Sequence, residues 1–141
     1  MSMQAIWIGI VLAALTLVHP VSAQGQNLGK NDFEQFCSEC HGATGKGDGS
    51  KAKALGRKSA DLTRLSEKNG AVFPVARVYN VIDGRVEAWI HGPRDMPAWG
   101  AIYTEKLKVR VPPEYPPEMR DRLVRERILT MIEYLLTLQA K

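Results

Sequence analysis

The chain has 141 residues, 24% of them charged and 45% hydrophobic, with a formal net charge of +4 at neutral pH. That length suits one domain around one core. The modest positive excess favours acidic partners over nucleic acid, and no basic run interleaved with aromatics accompanies it.

Residues 1–23, MSMQAIWIGIVLAALTLVHPVSA, contain no Asp, Glu, Lys or Arg. The apolar stretch from Ala5 to Val18 is shorter than the ~20 residues that cross a hydrocarbon core. Pro20 and then Val21-Ser22-Ala23 close it with the small residues a signal peptidase inspects. These features predict a cleaved secretory signal over 1–23 and a mature domain over 24–141, exported to the periplasm; an uncleaved membrane anchor is the alternative.

Asn31 is the expected N-cap of the first helix, with Asp32 and Glu34 in its first turn. Phe33, Phe36, Cys37 and Cys40 then follow at i, i+3, i+4 and i+7, one apolar stripe. GATGKGDG, after His41, has too many glycines for a helix and lacks the spacing of a phosphate-binding loop. In SADLTRL, Ser59 or Asp61 is the expected cap of a short turn. Val75, Val78, Tyr79 and Ile82, between Pro74 and Gly84, predict a helix. Residues 91–100, HGPRDMPAWG, predict a rigid loop, and VRVPPEYPPE a proline-rich surface segment. The last helix is expected from about Glu118 to Gln139. Ile128, Met131, Ile132, Leu135 and Leu138 make its buried face; Arg120, Arg122, Arg125 and Arg127 are solvated. No stretch alternates at period two, so the expected fold is all-α, with two terminal helices and long loops between them.

Cys37 and Cys40 are the only cysteines, and His41 follows directly. A thioredoxin-like dithiol needs its C-x-x-C between a strand and a helix, and no strand precedes this one. Zinc needs four ligands, and no second cysteine pair exists. A disulfide across three residues would close a tiny strained loop. C-x-x-C-H is, in contrast, the attachment sequence of c-type haem. Two thiols one helical turn apart can form thioethers with the two vinyl groups of one haem, and His41 then meets the iron. Export is consistent with this, since such attachment occurs outside the cytoplasm.

With FEQFCSECHG near the start, HGPRDMPAWG downstream and ILTMIEYLLTLQ at the end, the chain resembles the class I cytochromes c over roughly residues 28–140. The resemblance implies crossing N- and C-terminal helices around one haem, with Phe33 and Tyr134 as the aromatic pair at the crossing. It also implies that Met96 of DMPAWG is the second axial ligand, a soft thioether that raises the reduction potential. His91 is the competing ligand, but Gly92 and Pro93 turn its side chain from the direction Met96 faces. Family members carry a proline whose carbonyl holds the proximal histidine; here no proline lies between His41 and Pro74, so that partner has no candidate. The span 101–117 is longer than usual and is expected to cover a haem edge or serve in docking.

The function so implied is a periplasmic one-electron carrier of the respiratory chain, not an enzyme and without a small-molecule substrate. Its partners are redox proteins, a reductase or dehydrogenase and a terminal oxidase. The alternative is a cytochrome subunit held in a dehydrogenase of a sulfur compound or an alcohol. Lys46, Lys51, Lys53, Arg57 and Lys58, opposed only by Asp48, are either a docking patch for an acidic partner or a solvated loop.

Overall fold

The computed structural model describes residues 22–56, 58–85, 96–110, 112 and 114–140. The described residues are helical, without strands. Helix α1 (Ser22–Asp32) runs through a five-residue π-helical segment (Phe33–Cys37) into α2 (Ser38–His41). A short α3 (Ser50–Ala54) and two 3₁₀ turns (Leu62–Arg64 and Glu67–Asn69) follow, then α4 (Val75–Asp83), α5 (Trp99–Arg110) and α6 (Pro117–Thr137).

The principal packing is α1 on α6. Gly29 sets the approach: a Cβ there would overlap the backbone carbonyl of Thr130, so only glycine lets the two helices come this close. One turn later Phe33 is fully buried and meets Tyr134 with ring centroids 5.3 Å apart. The expected aromatic crossing is present. Phe33, Ile82, Tyr103, Val124, Ile128, Met131, Ile132 and Leu135 make the core, with Leu138 half-buried against it.

Asn31 does not cap the first helix, because it lies inside α1, which already includes Ser22. Ahead of Asn31, Ala23, Gln24, Gln26, Leu28 and Lys30 favour a helix, and packing on α6 offsets the cost of Gly25 and Gly29. Asp32 is therefore not a solvated first-turn acid. It is 1% exposed, and both its oxygens accept from the guanidinium of Arg127. Arg127 leaves the solvated arginine face to make this pair, since a carboxylate buried under a helix crossing needs a counter-charge.

Helix α4 matches expectation at both ends, with Pro74 before it and Gly84 in the left-handed region after it. The long-loop expectation fails at α5, a twelve-residue helix over most of the span assigned to an insertion. Trp99 and Tyr103, four apart on α5, pack with Phe36, at ring-centroid distances of 5.2 and 6.4 Å. These contacts hold the helix where the sequence showed only a proline-bounded insert. Pro117 then starts α6 at its first turn, where a missing N–H costs nothing.

Candidate haem site

The site starts in the π-helical segment, whose wider turn inserts one residue before the cysteine pair. Phe33 thereby enters the core, Phe36 packs against α5, and Cys37 lies half-buried at the segment's end. Helix α2 carries Cys40 and His41 and stops at Gly42.

The glycine loop then folds back beneath the motif. Gly47 donates to the His41 carbonyl (2.7 Å), Gly49 to that of Cys40 (3.2 Å), and Leu62 to that of Gly45 (2.7 Å). Gly47 has φ +81°, and a Cβ there would overlap the Ser59 carbonyl, so this return needs glycine. It brings Ala60 under the imidazole. His41 Nδ1–H donates to the Ala60 carbonyl oxygen at 2.9 Å. That bond fixes the tautomer and leaves the Nε2 lone pair for a metal. Ala60 is the partner for which the sequence offered no candidate. A backbone carbonyl has no side-chain signature, and without the proline nothing marked its position.

The segment around Ala60 is itself tied down. Asp61 Oδ1 accepts from the Thr63 amide (2.9 Å) and hydroxyl (2.7 Å), which selects Asp61 over Ser59 as the cap. The Thr63 hydroxyl holds the Asp61 carboxyl below its ordinary range. Gln139, two residues past α6 and bonded back to Leu135, donates to the Leu62 carbonyl and accepts from the Ser66 amide, while Ala140 donates to the Thr63 carbonyl. Helix α6 thus fixes both the crossing and the strap that orients His41.

Above this floor is a cavity of about 340 Å³, within the ~300–1,000 Å³ typical of small-molecule and cofactor sites. Cys37, His41 and Met96 line it together with Phe33, Leu62, Leu65, Val78, Ile82, Met131 and Leu135. Lys68, Asn69 and Arg77 are its basic and amide groups. Three of the four expected site residues therefore share one largely apolar chamber. Cys40, half-buried on the next turn, is not among the lining residues. His91 lies outside the described residues.

The donor set fits a c-type haem: a thiol, an imidazole with its second nitrogen occupied, a thioether, and apolar walls. It does not fit the rival chemistries. Burial, then the Asp32 carboxylate, then Cys40 push the Cys37 thiol up to about 12. A redox dithiol needs the opposite shift. No cluster of three or more His, Cys, Asp or Glu suited to a metal exists among the described residues.

The family model for cytochrome c oxidase, cbb3-type, subunit III matches residues 25–111, more than half of the chain. The chain belongs to this family of c-type cytochromes. No curated protein and no solved structure matches it. Membership makes haem-based electron transfer its chemistry, haem c its cofactor and redox proteins its partners. The matched region contains the cysteine pair, His41, the Ala60 strap, Met96 and α5, and it ends before α6. The cytochrome's closing helix is therefore assigned from packing alone.

Proposed function

We propose that this cytochrome is a periplasmic one-electron carrier holding one haem c. Cys37 and Cys40 would anchor the group through thioethers, and His41 and Met96 would hold its iron. One observation carries the reading: Cys37, His41 and Met96 line a single apolar cavity, with His41 fixed by the Ala60 carbonyl.

Bound haem supplies the Fe(III)/Fe(II) couple. The protein's own part is to position and insulate. The Ala60 carbonyl holds the imidazole ring in place and raises its basicity as a donor. The Met96 thioether favours the reduced iron. Phe33, Leu62, Leu65, Ile82 and Leu135 exclude water from the chamber, which limits solvent reorganisation when charge changes. With His41 and Met96 both on the iron, no position would be open to a substrate, so the protein would carry electrons without catalysing a reaction. The segment 1–23 is the export signal, and maturation leaves residues 24–141.

Lys46, Lys53 and Lys58 are exposed, Lys53 on α3 and the other two on the segments flanking it, and Lys51 pairs with Glu39 at 3.6 Å. Glu39 thus joins Asp48 in opposing the cluster, which we assign to docking an acidic redox partner; Arg57 lies outside the described residues. A second reading, a haem subunit held in a larger oxidoreductase, draws on the family's description as an oxidase subunit and on Val81, exposed at the wall of the cavity. Elution of the native extract decides between them: a carrier runs at the size of a free small protein, a subunit with its complex. Acid–acetone extraction tests the attachment. The haem should stay on a protein beginning near Gln24, and free haem in the solvent would refute the assignment.

A further inference from the structure

Asp83, the last residue of α4, is 6% exposed, yet it is a carboxylate. Arg85 Nε donates to its Oδ1 at 2.8 Å, and Arg85 also donates to Asp121 on α6 at 2.9 Å. On its other side Asp83 presses on the first turn of α5. A Cβ on Gly100 would overlap Asp83 Oδ1 and lie 2.8 Å from the Asp83 carbonyl oxygen. Two conditions therefore let this carboxylate stay buried: a guanidinium to neutralise it and a glycine to admit it. The start of α5 also carries the partial positive charge of any helix N-terminus.

We propose that Asp83, Arg85, Gly100 and Asp121 form a clamp that positions Met96 and sets how firmly its sulfur holds the iron. The proposal rests on Met96 being the axial ligand. Only Pro97 and Ala98 separate Met96 from α5, and proline fixes one of the intervening torsions. The first turn of α5 is held on one side by Asp83 and on another by Trp99 against Phe36, next to Cys37. Met96 has little freedom of its own, so its position is that of the turn. Asp121 extends the clamp to α6, the helix that also anchors the strap beneath His41. The four residues act through Met96 and are positioning residues.

The test is imidazole binding to the ferric holoprotein, because imidazole must displace the thioether. Gly100→Ala and Asp83→Asn disturb the buried end of the clamp. Asp121→Asn loosens its accessible end, where the carboxylate side chain is 64% exposed, and keeps the test open if a buried variant does not fold. Each should tighten imidazole binding by about 2- to 30-fold, the range for residues that bias a site without touching its ligand. Ile132→Val, a core truncation away from the clamp, and Glu67→Gln, in an exposed ion pair with Arg64, should leave the affinity at the wild-type value. The proposal is overturned if the clamp variants bind imidazole like wild type, or if Ile132→Val tightens it equally, since affinity would then follow global stability. Failure of the underlying reading looks different: wild type would lack the red-edge band of an iron–thioether bond, or Met96→Ala would retain it.

Discussion

The two sides from which His41 and Met96 are proposed to hold the iron are built in opposite ways. The histidine side is mostly local: motif, glycine return and strap lie within residues 37–63, joined by backbone hydrogen bonds and the His41–Ala60 bond, with Gln139 and Ala140 as the long-range ties. The methionine side is assembled from distant pieces, with α4, α5 and α6 meeting through side chains at Asp83, Arg85 and Asp121. A site held largely by its own backbone tolerates surface change; one held by charges at the end of α4, on the turn after it and on α6 responds to each of them. The histidine side should therefore behave as the permanent anchor and the methionine side as the adjustable one.

The largest effects should come from breaking the anchor. Cys37→Ala and Cys40→Ala each remove one thioether, and haem-stained gels should show holoprotein sharply reduced or absent. Next is Phe33→Ala, which empties the α1–α6 crossing and should cost about 3–5 kcal/mol in denaturant unfolding, as large aromatic truncations do. Arg127→Ala should fall slightly below it. It leaves Asp32 buried without its counter-charge, and losing one partner of a buried pair costs about 3–5 kcal/mol, moderated here because Arg127 is partly exposed.

Tyr103 gives a smaller, pH-dependent effect on the methionine side. Burial first, then the Asp32 carboxylate, raise its phenol above the ordinary value near 10. The neutral phenol is the form the fold accommodates, so its contribution is complete below about pH 10 and is lost as pH rises toward the folded value. Alkaline unfolding of Tyr103→Phe should set in at higher pH than that of wild type. The smallest effect concerns docking. Charge reversal at Lys46, Lys53 or Lys58 should lower the electron-transfer rate to an acidic partner and flatten its salt dependence, given a Debye length of ~8 Å at physiological strength. A rate indifferent to both would leave these lysines as a solvated loop.

The same contrast explains what was legible in the sequence. The histidine side was, because C-x-x-C-H encodes its chemistry in consecutive letters, and Phe33, Ile128 and Leu135 follow helical spacing. Its one gap was Ala60, whose contribution is a carbonyl that every residue possesses. The methionine side was legible only at Met96. Trp99, Tyr103 and Leu107 do follow one helical face, but flanking prolines and glycines masked it. The roles of Gly29 and Gly100 depend on which backbone or carboxylate lies opposite, and Asp32 and Arg127, 95 positions apart, became partners only once α1 and α6 had crossed. Local chemistry was visible; pairings across the fold were not.

Iron held between His41 and Met96 is tested most directly by the absorption spectrum of the ferric holoprotein at its red edge. Wild type should show the weak band of iron–thioether bonding, Met96→Ala should lose it and admit small ligands, and His91→Ala should keep it. A band that survives Met96→Ala and disappears with His91→Ala would contradict the assignment.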